Sequence, residues 1–69
     1  MEIIKLRDEY IKLGQALKAA GLVDNGVEAK FEIQDGKVKV NHQVEIQRGK
    51  KLYDGDEVEY QSETIKIVK

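Results

Sequence analysis

The feature that most constrains this sequence is a change of hydrophobic period near its midpoint. Before residue 35, apolar side chains recur every three or four residues, as they do on one face of a helix. From residue 37 they alternate with charged residues, as in "KVKV" (37–40), "EVEY" (57–60) and "TIKIV" (64–68). This order predicts an α+β domain, in which two packed N-terminal helices precede a small, mainly antiparallel sheet.

The first half contains two predicted helices. The apolar residues at helical spacing in the first are Tyr10, Leu13, Leu17 and Ala20. Because Gly21 follows where a helix commonly ends in a left-handed residue, this helix is predicted over residues 10–20. In the second, Asn25 and Glu28 have the spacing of a capping box. This helix is predicted to reach Gln34 and to end at Asp35–Gly36.

The two faces of the second predicted helix differ in character. Ala29 and Ile33 are four residues apart, so they are expected to pack together against the first helix. Val27 and Phe31 are expected at its flank. We therefore expect the side of the second helix that faces the core to consist of small and branched apolar residues.

The second half predicts short strands joined by turns. Val38 and Val40 are expected to point inward, with a turn at residues 41–43 in which Asn41 adopts a positive φ. Val44 and Ile46 are expected to continue as a short strand. A long charged loop is predicted over 47–56, and Ser62 and Glu63 are predicted to join the last two strands.

Two segments are interpreted as sheet edges. "EIIKL" (2–6) is rich in β-branched residues and predicts an additional N-terminal edge strand. "TIKIV" near the end is interpreted as a second edge, where Lys66 and Lys69 would oppose self-pairing. The expected oligomeric state is therefore a monomer.

Composition excludes several classes of protein. The 69 residues are expected to form one domain, 1–69. The chain has no cysteine, which excludes disulfides and thiolate metal sites and favours a cytoplasmic location. No apolar run is long enough to span a membrane. Neither a phosphate-binding loop nor a nucleophilic triad is present, and His42 has no sequence partner, so no enzyme activity, cofactor or metal is expected.

Positive charge is concentrated in one segment although the chain is nearly neutral. The formal net charge is −1, whereas residues 37–51 carry five Lys/Arg against one Glu, a local charge of +4. Four acids follow at Asp54, Asp56, Glu57 and Glu59. Their spacing matches no calcium-binding loop, and a turn followed by an exposed strand face accounts for them. A local cationic patch of this size can attract an anionic partner.

Several residues form an ordered set along the chain. On the predicted helices, they are Lys12, Leu13, Leu17, Asn25, Ala29, Lys30 and Ile33. On the predicted strands, they are "GKVKVN" (36–41) and "GDEV" (55–58). This ordered set resembles the alpha-L RNA-binding motif of ribosomal small-subunit protein S-four. The family-like core is thus 12–58. The short chain and its "RGKKL" segment are most similar to the stand-alone bacterial members of the YaaA and YbcJ type.

The resemblance implies non-catalytic binding of structured RNA, either ribosomal RNA or tRNA. The implied RNA-binding residues are Arg48, Lys50, Lys51, Lys39, Lys30, Lys12 and Tyr53. The basic residues would contact phosphates, while Tyr53 would either stack on an unpaired base or pack against the sheet edge. Gly26 and Val27 stand where many members have an arginine, which removes one phosphate contact.

Two other functions remain open at this point. The same basic face would suit an adaptor that docks an acidic protein on the ribosome or in DNA repair. Net charge close to zero favours that alternative. A DNA-binding adaptor is a further hypothesis, although no segment reads as a recognition helix for the major groove.

Overall fold

Two helices and one face of a five-stranded sheet share a hydrophobic core in the computed structural model, which describes residues 1–69. The elements in chain order are β1 (Glu2–Lys5), β2 (Ile11–Lys12), α1 (Leu13–Ala19), α2 (Gly26–Gln34), β3 (Val38–Val40), β4 (Gln43–Val44), β5 (Lys51–Leu52), β6 (Glu57–Tyr60) and β7 (Glu63–Val68). The larger sheet has the order β1-β7-β6-β3-β4, and β2 and β5 form a separate pair. Neither helix is long and apolar enough to cross a membrane. The predicted α+β architecture is confirmed.

The first helix is shorter than its hydrophobic spacing predicts. α1 begins at Leu13, whereas Ile11–Lys12 is extended and pairs with Lys51–Leu52 as β2 and β5. The prediction of a helix from residue 10 was therefore wrong, because Ile11 gains a strand partner that local spacing does not reveal. The predicted end is confirmed: Gly21 has φ of +75° and donates its N–H to the Lys18 carbonyl.

The second helix matches its prediction closely. Asn25 is the N-cap of α2, and its side-chain oxygen accepts from the Glu28 N–H at 2.8 Å. In a capping box the Glu28 carboxylate would also accept from the N–H of the N-cap residue, Asn25. Here it accepts from the Asp24 N–H at 2.6 Å, one residue earlier. Ala29 and Ile33 are completely buried, as predicted. The start and the inward face of α2 are thereby fixed.

The order of the strands corrects the second predicted edge. β7 lies between β1, to which it is parallel, and β6, to which it is antiparallel. "TIKIV" is consequently a central strand, and Lys66 and Lys69 do not protect an edge. The edges are β1, as predicted, and the two-residue β4.

Two tight turns set the register of the antiparallel strands. Asn41 and His42, with φ of 51° and 71°, connect β3 to β4, and Gln61 and Ser62, with φ of 49° and 67°, connect β6 to β7. Positive φ at both central residues is typical of the hairpin turn that matches strand twist. The first turn was predicted with its positive φ, and the second lies one residue before its predicted position.

Two further predictions in this half need correction. Ile46 lies beyond β4 and is 59% exposed, so the strand after the turn is shorter than its alternation suggests. The segment 47–56 is not a continuous loop, since it contains β5. In both cases the strand extends only over the residues that have a pairing partner, which is β3 for β4 and β2 for β5.

The segment between β5 and β6 is held by two polar side chains. Asp56 accepts from the Tyr53 N–H at 2.7 Å and from the Asn41 side-chain amide at 3.0 Å. The Asn41 side-chain oxygen in turn accepts from the Glu57 N–H at 3.0 Å. These bonds join the turn after β3 to the turn before β6, although the two residues are 15 positions apart.

The other acids of this region are also engaged locally. Glu57 pairs with Lys66 at 3.1 Å and Glu59 pairs with His42 at 2.7 Å, while Asp54 accepts from the Lys69 N–H at 3.0 Å. No group of three or more His, Cys, Asp or Glu side chains is placed to hold a metal ion. These acids therefore belong to the turn and to the outer face of the sheet.

One hydrogen bond links the second helix to the sheet at the edge of the core. The Tyr60 hydroxyl donates to the Glu32 carboxylate at 2.5 Å, and the Lys37 ammonium lies 3.4 Å from the other Glu32 oxygen. The bond from Tyr60 lowers the pKa of Glu32 more than desolvation raises it, and Lys37 lowers that pKa further. The same bond raises the pKa of Tyr60 to about 12. Charged Glu32 and neutral Tyr60 are thus the favoured pair.

Replacing Tyr60 by phenylalanine should lower the free energy of unfolding at pH 7 by about 1–2 kcal/mol, because a hydrogen bond to a charged group is lost. The loss should shrink as the pH falls through the lowered pKa of Glu32, since a protonated carboxyl is a weaker acceptor. It should also shrink as the pH rises from about 10 towards 12, because this tyrosine ionises in the unfolded chain at a lower pH than in the folded protein. Urea denaturation of both proteins across pH measures this; a constant difference would contradict it.

Replacing Asp56 by alanine should lower the free energy of unfolding by about 1–3 kcal/mol, because the Tyr53 N–H and the Asn41 amide lose their acceptor. Asp54→Ala is the matched control. It removes the same charge two residues away but only one hydrogen bond, to the Lys69 N–H, so its effect should be at most about 0.5–1 kcal/mol. Equal urea midpoints for the two variants would contradict the assigned role of Asp56.

Candidate nucleic-acid interface

The cationic segment at 48–51 is attached to the start of α1 by backbone hydrogen bonds. The Leu13 N–H donates to the Lys50 carbonyl at 2.8 Å, and the Gly14 N–H donates to the Arg48 carbonyl at 3.0 Å. No side chain caps α1, so the segment supplies acceptors that a capping residue would otherwise provide. Its basic side chains are therefore carried on a fixed backbone.

Gly14 lies where α1, α2 and this segment meet. A Cβ placed at Gly14 would lie 3.6 Å from both the Cβ and the carbonyl oxygen of Arg48, and 3.8 Å from the Cβ of Ala29. The small size of Gly14 and Ala29 lets the three pieces of backbone approach one another. The starts of both helices consequently open onto the same side of the molecule as Arg48.

A shallow groove of about 290 Å³ lies at this junction. Lys12, Lys18 and Arg48 line it, together with backbone at Gly26 and Gly49. None of its eight lining residues is acidic. The groove thus combines concentrated positive charge with exposed backbone, and we call it the basic groove.

The cations of this region have no protein counter-ions. The ion pairs of lysine or arginine involve only Lys37, which contributes two, and Lys66, while His42 contacts Glu59. None of the six Lys and Arg residues that the sequence predicted as RNA ligands is among them. Their charge is therefore available to an external anion.

The structure brings together only part of the predicted residue set. Lys12 and Arg48 line the basic groove, and Lys50 and Lys51 belong to the segment attached to α1. Lys30 is half-buried on α2 and does not line the groove. Lys39 lies on the outer face of the sheet, opposite Glu59 and Val44, in a separate depression.

Lys18 lines the basic groove but was not predicted. Lys18 lies one helical turn after Gly14 and Gln15, on the same side of α1. Gly14 and Gln15 also line the groove. Helical spacing places Lys18 on the same side of α1 as Gly14, but the sequence alone does not show that the 48–51 segment contacts α1 at Gly14.

Tyr53 lies beside the attached segment, in contact with another aromatic residue. Its ring centroid is 6.0 Å from that of Tyr10, at an interplanar angle of 52°, and Tyr53 is 48% exposed. The Lys51 ammonium lies 4.8 Å from the Tyr10 centroid, within cation–π range. Tyr53 and Lys51 therefore both contact Tyr10, and about half of Tyr53 stays exposed.

The chain is similar to known proteins over nearly all of its length. The family model for the S4 domain matches residues 4–68, a wider span than the motif at 12–58. The chain is 43% identical over 56 residues to the probable ribosome maturation protein RlbA of Bacillus subtilis (strain 168), a match that covers 81% of this chain and 79% of that protein.

A solved structure agrees with this match. The solution structure of YbcJ from E. coli, described as revealing an alfaL motif involved in RNA-binding, aligns with a TM-score of 0.76 and 28% sequence identity. The alignment covers 100% of this chain and 89% of YbcJ. The protein described here therefore belongs to the S4 domain family and has the alpha-L RNA-binding fold.

Proposed function

We propose that this protein binds structured RNA, of the ribosomal RNA or tRNA class, without catalysing a reaction. The binding surface is the basic face, which consists of Lys12, Lys18, Arg48, Lys50 and Lys51. The observation that carries this proposal is the attachment of the 48–51 backbone to the start of α1, which gathers these cations beside an acid-free groove. Residues 1–69 act as one RNA-binding domain around the family-like core at 12–58.

The family and its relatives support RNA as the ligand. The S4 domain match and the YbcJ structure support an RNA-binding module, and the name of the Bacillus subtilis relative supports a role in ribosome maturation. Ribosomal RNA is therefore the first target to test. Both the RNA target and the absence of cysteine suit a cytoplasmic protein.

Binding would depend on the phosphate backbone of the RNA. Each Lys or Arg that neutralises a phosphate releases a condensed counterion, which makes the affinity salt-dependent. The Arg48 guanidinium can hold a phosphate through two hydrogen bonds, whereas the lysines act as mobile point charges. A Cβ at Gly26 or Gly49 would meet nothing within 4 Å, so RNA can approach the backbone at both positions.

The remaining predicted residues would have subordinate parts. Lys30 and Lys39 lie outside the basic groove, so we assign them weaker, flanking phosphate contacts. Tyr53 would stack its exposed ring on an unpaired base next to Lys51. The protein would act as a monomer, since its sheet edges are the four-residue β1 and the two-residue β4.

The salt dependence of RNA binding tests the basic face. With four or five phosphate contacts, log affinity for ribosomal RNA should fall against log salt concentration with a slope of about −3 to −4. Lys12→Gln/Arg48→Gln should reduce that slope by about 1.5, because two contacts are lost. Fluorescence polarisation of a labelled RNA fragment at several salt concentrations provides the measurement.

A matched control separates the basic face from overall charge. Lys5→Gln/Lys69→Gln removes the same charge from exposed lysines outside the groove and should change the slope by less than about 0.5. Equal changes in the two double variants would refute the assigned face. Displacement of the RNA by a polyglutamate peptide would favour the acidic-partner alternative, and equal competition by duplex DNA would favour the DNA adaptor.

Tyr53→Leu should weaken binding to RNA with an unpaired loop by about 1–3 kcal/mol, because a base loses its stacking partner. Tyr53→Phe keeps the ring and should leave the affinity unchanged. The same polarisation assay at fixed salt compares the two variants. If Tyr53→Leu binds as well as wild type, Tyr53 serves only to pack against Tyr10.

A further inference from the structure

The outer face of α2 carries apolar side chains that no other element covers. Val27 and Phe31 are 62% and 63% exposed, although they are four residues apart on one helix face. Ala29 and Ile33, on the opposite side of the helix, are completely buried. At about 100° per residue, the two pairs are separated by roughly 200° around the axis. α2 therefore presents an apolar pair to solvent as well as to the core.

This apolar pair is framed by acids. Asp24 precedes the helix and lies next to Glu28, whose carboxylate accepts from the Asp24 N–H at 2.6 Å. Asp35, the C-cap of α2, follows Phe31 by four residues and so lies on the same side as the pair. Glu28 is adjacent to Val27 and one turn before Phe31. All three acids are exposed. We call Asp24, Val27, Glu28, Phe31 and Asp35 the α2 stripe.

The electrostatic character of the α2 stripe is opposite to that of the basic face. Residues 24–35 contain four acids against one lysine, a local charge of −3. Neither Asp24 nor Glu28 takes part in an ion pair, while Asp35 lies 3.5 Å from Lys37. An isolated exposed apolar residue needs no explanation, but an adjacent pair within an acidic frame has the composition of an anchor site for a basic ligand.

We propose that the α2 stripe docks a lysine- or arginine-rich protein segment that carries apolar side chains. Phe31 and Val27 provide the apolar contact, and Asp24, Glu28 and Asp35 receive the cations. The charge of the stripe repels RNA and attracts a basic polypeptide. The stripe adjoins the basic groove at the start of α2, since Val27 follows Gly26, and Lys30, to which we assign a flanking RNA contact, is the neighbour of Phe31. The protein segment therefore binds next to the RNA and not at the basic face itself.

A synthetic peptide tests this docking surface. The probe is a labelled twelve-residue lysine peptide with two leucines four positions apart, and its control has serine in place of both leucines. Wild type should bind the leucine peptide, with amide shifts in NMR spectra concentrated at residues 24–35. Val27→Ser/Phe31→Ser should weaken binding by about tenfold, because the apolar contact is removed.

The control variant is Ile3→Ser, which alters an equally exposed apolar residue on β1, at 65% exposure, and should bind as wild type does. Circular dichroism confirms that each variant is folded. Absence of binding, equal affinity for the serine peptide, or unchanged affinity of Val27→Ser/Phe31→Ser would overturn the proposal. Dimerisation in sedimentation experiments that this double variant abolishes would also overturn it, by assigning the stripe to a second copy of the chain.

Discussion

The arrangement of this protein depends on two backbone hydrogen bonds at the start of its first helix. The amides of Leu13 and Gly14 donate to carbonyl oxygens of the 48–51 segment, more than 30 positions later in the chain. A helix start has unsatisfied N–H groups wherever it occurs, and here a loop satisfies them in place of a side chain. Because the loop is the cationic part of the chain, one structural requirement fixes both α1 and the charged surface.

This coupling explains how a nearly neutral protein can present a strongly charged surface. The formal charge of −1 is the sum of a basic segment and of acids that lie in other parts of the molecule. Some of these acids contact side chains there, as Glu57 contacts Lys66 and Glu59 contacts His42. Asp56 is used within a turn, where it accepts hydrogen bonds from Tyr53 and Asn41. The acids therefore stabilise the sheet and its turns, while the groove cations stay unpaired.

The sequence predicted those features that depend on neighbouring residues. The bounds of α2, the cap at Asn25 and the turn at Asn41 follow from local spacing and side-chain chemistry, and all were confirmed. Features that depend on distant partners were missed: β2 and β5 form because Ile11 meets Leu52. The central position of β7 was missed for the same reason. A strand with one buried face shows the same alternation of apolar and polar residues whether it lies at the centre or at the edge of a sheet. The same limit applies to the site, because only the fold reveals that Lys18 shares a groove with Arg48.

The position of β7 has a consequence for how the chain reaches its native state. The strand at residues 63–68 lies between β1 and β6, so it connects residues 2–5 to the rest of the sheet. Contacts between such distant segments carry a large loop-closure entropy and slow the folding of small domains. On the ribosome, β1 is made first but has no partner until β7 emerges. The larger sheet can thus be completed only after β7 itself has been synthesised.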